Sequence, residues 1–162
     1  MADRERTPLE PVDMEAARNY WRTFKRTHGL DGSLEFAHAF QFGDSFEIAN
    51  ELADLVVNGP KRATCGMMAE LEAADEAVPA VGDYWVACDG SGRPVAVIRT
   101  TDVRVGRLSS VDDQFAWDEG EGDRSRANWL EAHTRCFERA FTAMGREMDP
   151  DIEVVFERFE LL

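Results

Sequence analysis

The sequence predicts an α+β domain in which two helices precede a group of strands and a third helix precedes the last strand. Up to residue 58, and again after residue 125, apolar residues recur at helical spacing. Extended segments with turn residues between them dominate the middle and the end of the chain. With 162 residues, 44% of them hydrophobic, the chain can bury a real core, and its strands are numerous enough to curl into a barrel.

The two N-terminal helices are predicted from their apolar faces and their ends. The first covers Val12 to His28, and its apolar face is formed by Met14, Ala17, Trp21 and Phe24. A linker from Gly29 to Gly43 follows. The second helix begins after Ser45, a good N-cap residue, and ends at Asn58-Gly59, a pair that commonly terminates helices.

Beyond residue 59 the period of the apolar residues changes from helical to extended, and Gly90-Ser91-Gly92 is suited to closing a hairpin. Four segments are predicted as strands: Ala63 to Glu70, Tyr84 to Asp89, Pro94 to Leu108 and Ile152 to Leu162. A third helix begins after Asp123 or Ser125 and ends at Gly145. His133 lies on the apolar stripe of this helix, so we interpret it as a core residue rather than a catalyst.

Composition restricts the classes of function and the organisation of the chain. We expect residues 1–11 to be flexible and residues 12–162 to form a single domain. No apolar stretch approaches the roughly 18 residues of a membrane helix, and the charged N-terminus is unlike a signal peptide. We therefore expect a cytoplasmic protein without membrane contacts. Three cysteines without a CxxC pair indicate neither a disulfide framework nor a zinc ribbon.

The net charge of −14 disfavours tight non-specific binding of long nucleic acids, which depends on basic residues that neutralise phosphates. The first predicted helix is a local exception, because it carries a basic stripe. The stripe is either a phosphate-binding surface or an ordinary solvated helix face, and it consists of Arg18, Arg22, Lys25 and Arg26.

Two segments carry residues suited to chemistry. In Gly59-Pro60-Lys61-Arg62-Ala63-Thr64, Lys61 can meet Thr64 only if it sits on the turn and folds back over the strand. A neutral Lys can activate a Thr hydroxyl, and burial can make a Lys neutral. By itself, however, such a turn is ordinary surface.

The second segment is Asp118-Glu119-Gly120-Glu121-Gly122-Asp123-Arg124-Ser125. Carboxylates crowded between glycines repel one another, which points to an acid/base site or a divalent cation site. The alternative is the acidic start of a helix, where negative side chains favour the helix dipole.

The chain resembles the larger bacterial ASCH proteins over about residues 15–160. The resemblance is carried, in this order along the chain, by FGDSFEIANELADLVVNGPKRAT, by VGDYWVACDGSGRPVAVIRTTDV and by the acidic segment just described. The resemblance implies a PUA-like β-barrel of about five to six strands with flanking helices, and a cleft for a nucleoside or nucleotide. Two activities are known in that family. One small member removes the acetyl group of N(4)-acetylcytidine with a Lys, a Thr and a Glu, and another member cleaves single-stranded RNA.

By position in the motifs, the resemblance implies the catalytic set Lys61, Thr64 and Glu119, with Glu121 as an adjacent alternative to Glu119. In the expected mechanism, neutral Lys61 takes the proton of Thr64, Thr64 attacks the amide, and Glu119 protonates the departing amine. Attack by water, with Thr64 only as a hydrogen bonder, is equally consistent with the sequence. We assign substrate binding to the remaining candidates: Gly59, Arg62, Tyr84, Trp85, Trp117, Glu121 and Arg124.

Three functions follow as hypotheses. The first is an amidohydrolase that needs no cofactor and acts on the acylated exocyclic amine of cytidine. The second is a ribonuclease for short single-stranded RNA, with Mn²⁺ or Mg²⁺ at Glu119, Glu121 and Asp123. The third is an RNA-binding module without catalysis. A monomer and a homodimer are both consistent with the sequence.

Overall fold

The computed structural model describes residues 6–162 and arranges five strands in one sheet of order β1-β3-β4-β5-β2. β1 pairs in parallel with β3, whereas β3 with β4 and β2 with β5 are antiparallel. The strands are β1 His38–Gln41, β2 Ala63–Met67, β3 Tyr84–Cys88, β4 Pro94–Arg107 and β5 Glu153–Leu161. The helices are α1 Met14–Thr27, α2 Phe46–Val57, α3 Met68–Ala74, α4 Asp113–Glu119 and α5 Arg126–Ala143.

The chain divides into two compact units. The first contains residues up to Gly59, Gly82–Arg99 and Glu160–Leu162. Its core forms where the predicted apolar face of α1 packs on β3 and β4. Asp13 caps this helix by accepting a hydrogen bond from the backbone N–H of Ala16 at 2.9 Å. The buried residues of this core are Ala17, Trp21, Phe24, Val86, Cys88 and Val97.

The second unit contains Pro60–Val81 and Thr100–Phe159. Here α4 and α5 cover one face of β2 and β5 with an aromatic-rich core, in which Phe115 meets Phe156 edge-to-face with ring centroids 5.0 Å apart. Ser125 begins α5 by accepting a hydrogen bond from the backbone N–H of Asn128, as one of the two predicted caps. The candidate catalytic residues all belong to this unit.

Three elements differ from those predicted. The strand expected over Ala63 to Glu70 ends at Met67, and α3 follows at once, because Ala, Glu and Leu in MAELEAA favour a helix. β1 lies in the predicted linker, since a four-residue strand depends on its partner β3 rather than on its own sequence. The seven-residue α4 was not predicted, because it is too short to show a period.

The described part of the N-terminal segment is joined to the first unit by backbone hydrogen bonds. The carbonyl of Thr7 accepts from the N–H of Phe46 at 2.9 Å, and the N–H of Glu10 donates to the carbonyl of Gly90 at 3.0 Å. We expected flexibility over residues 1–11. Residues 1–5 of that stretch lie outside the described residues, and from Thr7 onward the segment is hydrogen-bonded.

The predicted basic stripe on α1 loses one member. Lys25 is buried, and its Nζ donates to the carbonyls of Gly32 at 2.7 Å and Leu34 at 2.8 Å. This ammonium therefore stabilises the turn after α1 and is not available to a phosphate.

Within residues 6–162, no helix is long and apolar enough to cross a membrane.

Candidate functional site

Lys61 is the centre of the candidate site. It lies between Pro60 and the start of β2, and its side chain is fully buried, with 0% exposure. Its Nζ folds back to the carbonyl of Ala63 at 2.8 Å, which is the direction that a meeting with Thr64 would require. The same nitrogen donates to Glu121 Oε1 at 2.6 Å and lies 3.5 Å from Glu119 Oε1. Because an ammonium has three N–H donors and no acceptor, these oxygen contacts suit the protonated amine.

The two glutamates reach Lys61 from the end of α4 and the loop that follows. Glu119 is the last residue of α4, and Gly120 closes the helix in the left-handed conformation, with φ +69°. A Cβ at Gly120 would lie 2.8 Å from the backbone nitrogen of Lys61 and 2.9 Å from its Cα. Glycine is therefore required both by the turn and by the close approach to Lys61.

Helix α5 supplies two further partners of Glu119. The indole Nε1 of Trp129 donates to Glu119 Oε2, and His133 Nε2 lies 3.1 Å from Glu119 Oε1. His133 Nδ1 faces the backbone carbonyl of Trp129 at 2.8 Å, and the two rings stack with centroids 3.8 Å apart. With an oxygen acceptor at each ring nitrogen, the doubly protonated imidazolium is the form of His133 that satisfies both.

The charges around the cluster set different pKa values for its members. Burial raises the pKa of Glu119. The positive charges of His133 and Lys61 and the hydrogen bonds from His133 and Trp129 have a larger, opposite effect. The pKa of Glu119 is therefore well below its usual range. Burial lowers the pKa of His133, and the negative charge of Glu119 more than compensates, so this pKa is raised. The pKa of Glu121 is raised by burial in spite of the attraction of Lys61.

Glu121 is the member suited to proton exchange with a ligand. Its side chain is 26% exposed, whereas that of Glu119 is 2% exposed and that of Lys61 is fully buried. A carboxyl with a raised pKa at an accessible position can both accept and donate a proton. Glu119, by contrast, is enclosed by donors, and its charge serves to hold Lys61.

Thr64, the third predicted catalytic residue, is the second residue of β2. Pairing with β5 puts Thr64 opposite Glu157, whose Oε1 accepts a hydrogen bond from Thr100 Oγ1 at 2.6 Å. Cys65 faces the other side of the strand, and the pKa of its thiol is raised by burial and then by the charge of Glu119. The structure thus brings Lys61 together with both glutamates, and it pairs Thr64 with Glu157 across the two strands. Its catalytic role stays a prediction.

The predicted binding residues fall into two groups. Trp117 and Arg124 contact each other close in sequence to the two glutamates. The guanidinium carbon of Arg124 lies 3.7 Å from the ring centroid of Trp117, which is 53% exposed, and Arg124 Nε donates to the carbonyl of Trp117. In the same unit, Arg62 donates to the carbonyl of Lys61 through Nη1 and to that of Asp118 through its backbone N–H.

The other predicted binding residues belong to the first unit. Gly59 follows α2 and its backbone N–H donates to the carbonyl of Leu55. In β3, Tyr84 packs against Trp21 with ring centroids 5.2 Å apart, and Trp85 stacks on His38 at 5.8 Å. Both aromatic residues thus have partners within the first unit.

Sequence reasoning missed Trp129 and His133 as members of the site. His133 was placed on the apolar stripe of the third helix, and Trp129, which lies one turn earlier on the same helix, is buried. The spacing of the apolar residues could not identify these two residues as part of a site, but their chemistry could have done so. An indole N–H and an imidazole on a buried stripe each need a polar partner. The sequence did not show that this partner is Glu119.

Three oxygen or nitrogen atoms of the cluster also have the spacing of a metal site. One ligand atom each from Glu119, Glu121 and His133 lies within 4.8 Å of the others. Asp123, which was expected in a cation site, instead accepts a hydrogen bond from the N–H of Ser125 at 2.8 Å. Lys61 Nζ already supplies a positive charge between the two glutamates, so a divalent cation would compete with it.

Comparisons with known proteins identify the family. The family model of the ASCH domain matches residues 38–162. The chain belongs to the ASCH domain family. An ASCH domain from Lactobacillus crispatus JV V101 is similar in structure, with a TM-score of 0.78 and 30% identity, over 91% of this chain and 94% of that one. The protein EF3133 from Enterococcus faecalis V583 is similar over 92% of this chain and 89% of that one, with a TM-score of 0.82 and 32% identity.

These likenesses confirm the predicted resemblance to ASCH proteins and the predicted α+β fold with flanking helices, and the sheet has five of the five to six strands expected. No curated protein matches the chain significantly. The ASCH family is associated with RNA binding, which gives the coarse setting for the function of this site.

Proposed function

We propose that this ASCH protein is an amidohydrolase that removes an acyl group from the exocyclic amine of a cytidine-like nucleoside. The observation that carries the proposal is the pair formed by Glu121 and Lys61, in which an accessible carboxyl with a raised pKa is held 2.6 Å from a buried ammonium. Acyl transfer to water needs a group that first takes and then returns a proton.

In the proposed reaction, Glu121 takes a proton from a water molecule as the water oxygen bonds to the amide carbon. The tetrahedral intermediate collapses, the carbon–nitrogen bond breaks, and Glu121 returns the proton to the departing amine. The products are the free carboxylic acid and the nucleoside amine. Lys61 keeps Glu121 in position, and its charge favours the carboxylate form before the proton transfer.

Attack by Thr64 is the less favoured route. It requires a neutral Lys61 to remove the hydroxyl proton, whereas the oxygens around Lys61 Nζ favour an ammonium. Thr64 lies opposite Glu157, so in this proposal it acts on the substrate only as a hydrogen-bonding group.

The test is an assay of the purified protein on N(4)-acetylcytidine, with acetate release as the readout. We expect Glu121→Gln to lower kcat by about 10²- to 10⁴-fold, the usual contribution of a general acid–base group. The matched control is Glu131→Gln, because Glu131 is an exposed glutamate whose recorded partner is Arg135 on the same helix. Equal rates for wild type and Glu121→Gln would contradict the proposed role of Glu121.

Cleavage of single-stranded RNA is the second candidate, favoured by the metal-like spacing of Glu119, Glu121 and His133. The burial of Lys25 weakens it, because the basic stripe on α1 then offers less charge to phosphates. Short RNA assayed with Mn²⁺ and with a chelator separates the two candidates. Cleavage that needs Mn²⁺, without acetate release, would favour the ribonuclease. Either substrate is consistent with a cytoplasmic location, which we also propose.

A further inference from the structure

His133 differs from an ordinary helix histidine in one contact. His28, at the end of α1, shows the same local arrangement, since its Nδ1 faces the carbonyl of Phe24 at 3.0 Å and its ring stacks on Phe24 at 4.0 Å. His133 has the corresponding contacts to Trp129 and, in addition, places Nε2 3.1 Å from a buried carboxylate. The stacking of a histidine on the aromatic residue one turn earlier therefore does not by itself produce a contact such as the one between His133 and Glu119.

In residues 6–162, the three side chains that lie within hydrogen-bond distance of the Glu119 carboxylate are all donors. Oε2 accepts from the indole of Trp129, and Oε1 lies near both His133 Nε2 and Lys61 Nζ. A proton on Glu119 would need an acceptor, and these three groups offer none in their protonated forms. Glu121, in contrast, has Lys61 on one side and solvent access on the other.

We propose that His133 is a positioning residue which, with Trp129, fixes Glu119 as an ionised carboxylate and so leaves Glu121 as the group that exchanges the proton. The inference rests on the proposed function and adds a division of roles between the two glutamates. His133 acts through Glu119 and Lys61 and does not touch the substrate.

The charged and titratable groups that face His133 come from three directions. Glu119 approaches from the end of α4, Glu121 from the following loop, and Lys61 from the segment before β2. The charges of Glu119 and Lys61 also act on Cys65 of β2, where Glu119 raises the pKa of the thiol and Lys61 lowers it. Among the effects on Glu121, burial raises the pKa and the positive charge of His133 lowers it. Loss of that charge must therefore raise the pKa of Glu121 further.

Two substitutions separate the charge of His133 from its hydrogen bond. His133→Gln keeps an N–H donor and removes the charge, whereas His133→Phe keeps the stacked ring and removes both. We expect His133→Phe to lower kcat by about tenfold, less than the roughly 10²-fold minimum for loss of a general acid–base group itself, with KM changed by less than about twofold. For His133→Gln we expect the acidic limb of the pH–rate profile to move to higher pH.

The matched control is His28→Phe, which alters the same type of stack without a carboxylate partner in the described chain. Equal effects of His28→Phe and His133→Phe on kcat, or an unmoved acidic limb in His133→Gln, would overturn the inference.

A measurement without substrate keeps the inference separate from the proposed function. In wild-type protein labelled with ¹³C at the glutamate carboxyls, NMR should show Glu119 ionised throughout pH 4 to 8 and Glu121 titrating above its ordinary value of 4.5. Glu119 titrating at higher pH than Glu121 would overturn the inference even if acyl amides are hydrolysed. If no amide is hydrolysed but the expected titrations occur, the proposed function fails and the division of roles stands.

Discussion

At the scale of single residues, the site depends on charges that are buried together. Lys61 and Glu119 are almost inaccessible to water and His133 is mostly buried, so each depends on its partners to remain charged. Removal of one partner leaves the others desolvated without compensation, which costs more than the net contribution of the intact pair.

Lys61→Met should therefore destabilise the protein by about 3–5 kcal/mol, the usual cost of breaking a buried ion pair. Urea denaturation measures this free energy of unfolding. Lys25→Met is the matched control, because Lys25 is also buried but donates to two carbonyls rather than to carboxylates. An equal or larger loss in Lys25→Met would show that the carboxylate partners are not the cause.

His133 predicts a dependence of stability on pH. Its pKa is higher in the folded protein than the ordinary value of 6.5, so the folded state binds the proton more tightly. Its contribution to stability is complete below pH 6.5 and is lost as the pH rises through the folded pKa. The free energy of unfolding of wild type minus that of His133→Gln should therefore fall from pH 6 to pH 9.

The difference between the two proteins is the useful quantity, because it removes the pH dependence of titratable groups that lie far from His133. The same difference measured for His28→Gln serves as the control. A difference for His133→Gln that rises with pH, or that matches the difference for His28→Gln, would contradict the assignment.

At the scale of elements, the site is assembled by the end of α4 and the turn before β2. Gly120 ends α4, and the backbone N–H of Arg62 donates to the carbonyl of Asp118 at 2.8 Å. These contacts set the spacing between Glu119 and Lys61, so a change in the turn should move both.

Gly120→Ala tests this arrangement against a control glycine with the same φ. Gly145 also has φ +69°, but a Cβ there would meet nothing within 4 Å, whereas at Gly120 it would lie 2.8 Å from the nitrogen of Lys61. We expect Gly145→Ala to cost about 1–2 kcal/mol for the left-handed conformation alone. Gly120→Ala should lower the free energy of unfolding by clearly more than Gly145→Ala does, and it should also lower amidohydrolase activity. Thermal unfolding measures the stability of both variants. Equal losses of stability would exclude a steric contribution at Gly120.

At the scale of the whole molecule, the net charge of −14 opposes compactness through self-repulsion. Salt screens this repulsion, since the Debye length falls from about 30 Å at 0.01 M to about 3 Å at 1 M. Exposed ion pairs such as Arg135 with Glu131 contribute little, so their weakening does not cancel the gain.

We therefore expect Tm to rise with NaCl concentration, as measured by calorimetry. The variant Glu76→Lys with Glu147→Lys replaces two exposed acids and changes the net charge from −14 to about −10. Its Tm should respond less to salt. A Tm that falls with salt in both proteins would contradict the view that repulsion dominates.

The sequence predicted the long, strongly periodic elements correctly. The apolar face of α1, the Ser45 cap of α2 and the course of β4 all follow local rules of spacing and capping. The sequence failed where stability comes from a distant partner. β1 has four residues and pairs with β3, more than forty positions away, and the basic stripe could not show that Lys25 turns inward to the loop after its helix.

For the site, the sequence by itself determined the turn at Lys61, the two glutamates around Gly120 and their common family pattern, because these depend on residues close in the chain. Only the tertiary structure decided which charges meet. It joined Lys61 to residues about sixty positions away, added Trp129 and His133, and put Thr64 beside Glu157. The physical reason is that buried charges are stabilised by whichever partners packing brings within hydrogen-bond distance, and no local pattern in the sequence encodes that choice.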